Sequence, residues 1–120
     1  MYFTSKEKVA IANLALKLEL ADEKLDDKEK SLTFLVFSKI GLNSSELKQS
    51  FEIKSTEAML IIANMTEAEK MFVCAFYGTL IAIDGDISPA ETKLWQLISA
   101  FCEFPEMSIA EAISKFADYV

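Results

Sequence analysis

The chain of 120 residues carries 12 basic and 19 acidic side chains, which gives a formal net charge of −7 at pH 7. A chain of this length can fold as one domain that buries about two-thirds of its unfolded surface without disulfide bonds. The basic residues are all lysines scattered singly, so nucleic acids and anionic membranes are not expected as partners.

Several other functional classes are also disfavoured by the sequence. There is no histidine, and no phosphate-binding loop, dinucleotide fingerprint or GxSxG motif is present, so we expect no enzymatic activity. No apolar run approaches about 20 residues and the first residues do not form an apolar leader, so we expect a cytoplasmic protein without a membrane span. Cys74 and Cys102 lie within apolar helical patterns, which predicts buried, reduced thiols.

The first predicted helix begins with a capping box made by Thr4 and Glu7 and runs to about Ala21. Its apolar residues recur along one face, as in a helix that packs on a core. The residues predicted to face the core are Val9, Ala12, Leu16 and Leu20.

The second and third helices complete the first half of the chain. Asp26 and Glu29 are predicted to cap a helix over residues 27–40, which Gly41 ends. Its predicted core stripe consists of Leu32, Leu35, Val36 and Ile40. Asn43 or Ser44 then begins a short helix to about Phe51, in which Leu47 and Phe51 are expected to face inward.

The fourth and fifth helices are the most apolar. Ser55 is predicted to cap a helix over residues 56–64 that is too apolar for the surface and joins the two halves through the core. Thr66 and Glu69 form a capping box that opens a fifth helix to about Ile83. This helix is apolar on nearly every side, which predicts burial on several sides.

The last two helices follow closely. The sixth runs from Pro89 to about Glu103 and ends before Pro105, and Ser108 with Glu111 caps a seventh that reaches nearly to the C-terminus. No segment has the pattern of a strand. The sequence therefore predicts an all-α single compact domain of about seven helices over residues 1–120.

An acidic turn links the fifth and sixth helices. Ser88 and Glu91 are predicted to form a capping box around Pro89 at the first helical position. Gly85 permits a backbone angle that a side chain would resist, so Asp84 and Asp86 can project from a tight bend. Two or three carboxylates are therefore expected to converge at this turn.

The sequence repeats itself at an offset of 62 residues, which predicts an internal duplication. The duplication would place pseudo-repeats at about 4–53 and 66–116, linked by the helix over residues 56–64, with one helix–acidic turn–helix unit in each repeat. The matched pairs include Thr4 with Thr66, Glu7 with Glu69, Lys8 with Lys70, Asp22 with Asp84, and Glu29 with Glu91.

Two interpretations of the second acidic turn remain open. Asp84, Asp86 and Glu91 could bind a divalent cation such as Ca²⁺, Mg²⁺ or Mn²⁺, because these ions take carboxylate oxygens as ligands. Alternatively, the two aspartates bond turn backbone and Glu91 serves only the capping box. An EF-hand is excluded, since its loop needs twelve residues with a central glycine.

The two acidic turns, with the motif Ala-Ile-Asp-Gly-Asp-Ile-Ser-Pro-Ala-Glu at residues 82–91, resemble those of the TerB-like tellurite-resistance domain, and the resemblance covers nearly the whole chain. It implies a duplicated helical module of bacterial proteins, found alone or attached to DnaJ-type co-chaperones. It also implies a role in stress responses, with metal chelation by acidic residues of the two turns.

Carried over to this chain, the resemblance implies a ligand set of Asp84, Asp86 and Glu91 in the second turn and a weaker set in the first. The first set comprises Asp22 and Glu29, with Asp26 in partial compensation. The first turn departs from the pattern, because Glu23 replaces the glycine and Lys24 stands where the second turn has an aspartate.

The aromatic residues suggest a different function, a groove that binds a protein partner. The candidates are Phe34, Phe37, Trp95, Phe101, Phe104 and Tyr119, although core packing is the more usual role of large apolar residues. Trp95 is matched by Thr33 in the first repeat, so the duplicated core does not require it. We therefore expect Trp95, with Phe104, as an interface anchor.

Two functional hypotheses follow. In the first, the chain is a TerB-like stress-response module that binds a divalent cation weakly at the second turn within a protein assembly. In the second, it is a protein interaction or scaffold domain whose acidic turns are structural and whose binding groove lies near Trp95.

Overall fold

The computed structural model describes residues 1–21 and 26–120 of the chain. These residues contain seven α-helices and no β-strand. The prediction of an all-α chain is therefore confirmed for these residues. In chain order the helices are α1 (Ser5–Leu20), α2 (Asp27–Ile40), α3 (Ser44–Glu52), α4 (Ser55–Ala63), α5 (Glu67–Ala82), α6 (Pro89–Phe101) and α7 (Ile109–Ala117).

Helix α5 is the centre of the fold. Helices α1, α2, α6 and α7 pack against it, and every residue from Phe72 to Ile81 is buried. The hydroxyl of Tyr77 donates a hydrogen bond to the carbonyl oxygen of Ile11 at 2.8 Å, which joins α5 to α1. The predicted burial of α5 on several sides is confirmed, because a helix that is apolar all round needs neighbours all round.

Helix α1 is the second central helix, and it packs against α3, α4 and α5. The buried Asn13 donates through Nδ2 to the carbonyl oxygens of Ser50 at 2.9 Å and Ile53 at 3.1 Å. The prediction that Leu20 faces the core was wrong, since this side chain is exposed. Leu18 is fully buried instead, and two residues separated by one other point about 200° apart on a helix.

Helix α2 presents a narrower face to its neighbours than its sequence predicts. Leu32 and Val36 are buried, whereas Leu35 is exposed, so the prediction for Leu35 was wrong. Among the described helices, α1 and α5 are the ones that pack against α2. A single apolar stripe is therefore enough to attach it.

The predicted orientation of α3 was also wrong. Leu47 and Phe51 point outward, and Phe51 is 69% exposed. The buried face carries Glu46 and Ser50, because Glu46 pairs with Nζ of Lys8 at 3.2 Å and the carbonyl oxygen of Ser50 accepts from α1. Polar contacts, rather than apolar residues, decide which side of this helix faces inward.

Helix α4 is only partly buried, so the prediction that it is too apolar for the surface was wrong. Ala58 and Ile62 are buried against α1, while Leu60 is 54% exposed. Ser55 is not the cap: Lys54 occupies that position without a side-chain hydrogen bond. The Ser55 hydroxyl instead donates to Oδ1 of Asn13 at 3.3 Å.

Candidate functional site: the acidic turns and the Trp95 cleft

The second acidic turn is a tight bend in which one aspartate bonds the backbone. Oδ1 of Asp84 accepts the backbone N–H of Asp86 at 2.9 Å, and the N–H of Gly85 donates to the carbonyl oxygen of Ala82 at 3.0 Å. Gly85 has φ of 82°, the left-handed conformation that the sequence predicts for it. Asp84 thus stabilises the turn, as the structural interpretation expects.

Glu91 lies at the first turn of α6 but does not complete the predicted capping box. Ser88 Oγ accepts the backbone N–H of Glu91 at 3.0 Å, whereas the Glu91 carboxylate does not return to the backbone N–H of Ser88. The side chain is fully buried. The prediction of a reciprocal capping box was therefore wrong here, because the carboxylate turns inward.

Glu29, at the start of α2, is also buried and does not complete a capping box. Oδ1 of Asp26 accepts the backbone N–H groups of Lys28 at 2.8 Å and Glu29 at 3.1 Å. Asp22, the remaining candidate ligand of the first turn, lies outside the described residues.

Reciprocal capping boxes do form at four other helix starts. In each, the glutamate carboxylate accepts the backbone N–H of the cap residue. The pairs are Thr4 with Glu7, Asn43 with Glu46, Thr66 with Glu69, and Ser108 with Glu111. The two glutamates at the acidic turns are thus placed differently from these four.

Within residues 1–21 and 26–120, no three or more aspartate, glutamate, cysteine or histidine side chains are grouped so that they could hold a metal ion. Asp84, Asp86 and Glu91 all belong to this part of the chain. The structure therefore does not bring the three candidate ligands of the second turn together as a set by themselves.

A cleft of about 820 Å³ lies beside Trp95, between α5, α6 and the start of α7. All residues of the connection from 103 to 108 line it. The other lining residues are Cys74, Trp95, Gln96, Ser99, Ala100 and Glu111. Of the six aromatic residues that the sequence offers as groove candidates, Trp95 and Phe104 line this cleft.

Trp95 is only 7% exposed and is held by close helix packing. A Cβ atom added at Gly78 would lie 2.5 Å from Cβ of Ala112 and 3.2 Å from Cζ2 of Trp95. Glycine at this position thus lets α5 approach both α6 and α7. The indole Nε1 is buried and has no hydrogen-bond partner in the described part of the chain.

Cys74 forms part of the cleft wall and remains a protonated thiol at neutral pH. Burial raises its pKa to about 11, and the nearby Ser99 hydroxyl opposes this rise. Cys102, also buried, has its pKa raised to about 11 by burial, against the opposing charge of Lys70. The predicted buried thiols are confirmed, and neither is activated as a nucleophile.

Glu103, Glu106 and Glu111 line the cleft, and no lysine of residues 1–21 and 26–120 does so. Glu103 has φ of 55°, a left-handed conformation unusual for a residue with a side chain. The carboxylate of Glu111 accepts the backbone N–H of Ser108 at 3.1 Å, and hydrogen bonds from Ser108 lower its pKa. The cleft therefore combines an aromatic wall with a negatively charged rim.

Sequence reasoning missed the role of Glu103 at the cleft and of two polar core residues, Asn13 and Tyr77. Asn13 and Tyr77 lie in apolar helical runs, and nothing local indicates that they bond distant backbone. Glu103 did carry a signal, because it stands 62 residues after Gly41, the glycine that ends α2 with φ of 77°.

A crystal structure of PG1108, a protein of unknown function from Porphyromonas gingivalis W83, is similar to this chain, with a TM-score of 0.82 and 34% sequence identity. The match covers 97% of this chain and 98% of that chain. The sequence matches no protein-family model and no curated protein. No helix in the described ranges is long and apolar enough to cross a membrane.

Proposed function

This chain belongs to the same family as PG1108 from Porphyromonas gingivalis W83, and since that relative has no known function, we propose a function from the geometry of the site itself. The protein is a non-enzymatic, TerB-like helical module that binds a protein partner in the Trp95 cleft. The observation that carries this proposal is the cleft of about 820 Å³ beside Trp95.

The chemistry of the cleft favours binding over catalysis. Trp95 and Phe104 are 7% and 8% exposed and form the floor of the cleft, where aromatic side chains commonly anchor a partner. The Cys74 thiol has a pKa of about 11, so it offers little thiolate for covalent chemistry.

The comparison of the two halves supports both the duplication and the special role of the second half. Helices α1 and α5 each have 16 residues, and their bounds differ by 62 at both ends. The connection between α2 and α3 spans residues 41–43, whereas that between α6 and α7 spans 102–108. Residues 103–108 of this longer second connection line the cleft.

The proposal can be tested by filling the cleft. Ala100 is exposed on α6 and lines the cleft, while Ala90 is exposed on the same helix away from it. Peptides selected from a random library on the wild-type protein should bind Ala90→Trp normally and lose at least about tenfold in affinity, roughly 1.4 kcal/mol, for Ala100→Trp. Selected peptides that bind both variants equally, or a selection without enrichment, would contradict a peptide-binding cleft.

A second candidate function is divalent-cation binding at the acidic turns, within a cytoplasmic stress-response assembly. The observation that favours it is that Glu29 and Glu91 are both buried instead of capping their helices. Such carboxylates are oxygen ligands suited to Ca²⁺, Mg²⁺ or Mn²⁺. A complete site would need groups from both turns, since the described acids of the second turn do not form a set alone.

Thermal unfolding distinguishes this candidate from a purely structural role of the turns. A cation present at about 100 times its dissociation constant should stabilise the native state by roughly 2.7 kcal/mol. The double variant Asp84→Asn and Asp86→Asn should lose this shift, while Glu52→Gln combined with Glu57→Gln, at exposed positions outside both acidic turns, should retain it. Equal shifts in both variants, or none with the wild type, would leave the turns with a structural role only.

A further inference from the structure

We propose that the occupant of the Trp95 cleft is a basic peptide segment, in which an apolar side chain enters the cleft and flanking lysine or arginine side chains meet its rim. This inference rests on the proposed function and adds the chemical class of the partner. It is carried by three features: the charge of the rim, the polar group in the wall, and the apolar surface between them.

In the described ranges the charged residues that line the cleft are glutamates, and Lys115 lies beside Glu106 and Glu111 in an adjoining depression. Glu103, Glu106 and Glu111 line the cleft together with apolar and uncharged polar residues, and no lysine is among the lining residues. The lowered pKa of Glu111 keeps its carboxylate ionised near neutral pH. Opposite charges across an interface speed association and exclude partners of like charge, so phosphate groups, nucleic acids and acidic peptides are disfavoured here.

The wall contains a hydrogen-bond donor without an acceptor. Trp95 is more than nine-tenths buried, it lines the cleft, and its Nε1 has no hydrogen-bond partner in the described ranges. An unsatisfied buried donor is costly and calls for an explanation. Because less than 1 Å² of Nε1 is exposed, the indole ring would have to shift on binding for a backbone carbonyl oxygen of the segment to supply the missing acceptor.

The remaining surface suits an apolar side chain. Phe104 and Met107 line the cleft beside Trp95, and Pro105 lies between them in the same connection. Aromatic and methionine side chains of this kind are enriched in the cores of interfaces. A segment with one apolar residue flanked by basic residues satisfies the apolar surface, the donor and the charged rim together.

The test uses three synthetic peptides of equal length, each with one central leucine, whose flanking residues are all lysine, all serine or all glutamate. Trp95 is the only tryptophan of the chain, so its indole N–H resonance reports directly on the cleft. We expect the lysine peptide to shift this resonance and to bind at least about tenfold more tightly than the serine peptide, with the glutamate peptide weakest.

Charge variants test whether the glutamates of the rim cause the tighter binding of the lysine peptide. Glu103→Gln combined with Glu106→Gln should reduce the affinity for the lysine peptide by about 3–10-fold, as expected for two exposed charge pairs. Glu52→Gln combined with Glu57→Gln changes the net charge equally at exposed positions outside the cleft and should leave the affinity nearly unchanged. Equal losses in the two double variants would indicate long-range attraction only and would overturn the inference.

Failure of this inference can be separated from failure of the proposed function. If the serine peptide binds as tightly as the lysine peptide and Ala100→Trp abolishes both, the cleft binds peptides but does not select basic ones. If none of the three peptides shifts the Trp95 resonance, the basic class is overturned, and the random-library selection decides whether the cleft binds peptides at all.

Discussion

Glu103 follows the last turn of α6 with φ of 55°, a left-handed backbone conformation in which a Cβ atom is crowded by the neighbouring carbonyl oxygen. Glycine is the usual residue at this position after a helix, and Gly41 occupies the corresponding place after α2. The protein therefore has a carboxylate on the rim of the cleft at a position where glycine would give a lower conformational energy.

We expect Glu103→Gly to stabilise the fold by about 1 kcal/mol, because glycine adopts the left-handed conformation without that steric cost. Urea unfolding measures the change. Glu106→Gly, whose native residue has negative φ, should not stabilise. The same Glu103→Gly variant should bind the lysine peptide more weakly, so a gain in stability without any loss of binding would contradict a role for this carboxylate.

Cys74 and Cys102 should make the free energy of unfolding fall in alkaline solution. Burial raises both pKa values from 9.0 to about 11. Between these pH values the unfolded thiols lose protons that the folded thiols keep, so stability is complete below about pH 9 and declines as pH rises toward 11. Urea unfolding from pH 8 to pH 10.5 should show a shallower decline for Cys74→Ala with Cys102→Ala than for the wild type, and parallel declines would contradict the assignment.

The packing of α5 against α6 and α7 depends on one glycine. Since a Cβ atom at Gly78 would lie 2.5 Å from Cβ of Ala112, Gly78→Ala should destabilise the fold by about 1–3 kcal/mol, the usual cost of overpacking. Chemical denaturation gives the value.

A second substitution, at Ala112, shows whether the contact with Ala112 causes the destabilisation by Gly78→Ala. Ala112→Gly alone should cost about 1 kcal/mol through its lower helix propensity, and Ala110→Gly, at an exposed position of α7, measures that cost without the contact. The double variant of Gly78→Ala and Ala112→Gly should be more stable than the sum of the two single changes. Strict additivity would show that the contact with Ala112 is not the source of the strain.

Most helix starts could be predicted because their signals are local. A threonine or serine followed three residues later by glutamate satisfies backbone donors within one turn, as at Thr4 and Thr66. The same signal predicted the wrong side-chain placement for Glu91. Its carboxylate lies buried in the protein instead of accepting the backbone N–H of Ser88. Likewise, the face of α3 was wrong because Glu46 and Ser50 take partners on α1, more than thirty residues away.

The whole molecule is arranged around α5, which four other helices contact. We therefore expect the backbone amides of α5 to exchange with solvent only through global unfolding, whereas those of α3, which has a largely exposed face, should exchange through smaller openings. Hydrogen exchange followed by mass spectrometry measures both. Exchange of α5 at the rate of α3 would contradict its central position.

The sequence by itself determined the helical class, the order of the seven helices, the capping boxes at Thr4, Thr66 and Ser108 and the tight bend at Gly85, because propensities, caps and turns act over a few residues. The burial of α5 was equally predictable, since an apolar surface all round leaves no face for solvent. Only the tertiary structure decided where Glu29 and Glu91 point and which polar groups reach across the core. It also decided that residues 103–108 and Trp95 enclose a cleft. These features depend on groups far apart in the chain that packing brings together, and no local pattern contains them.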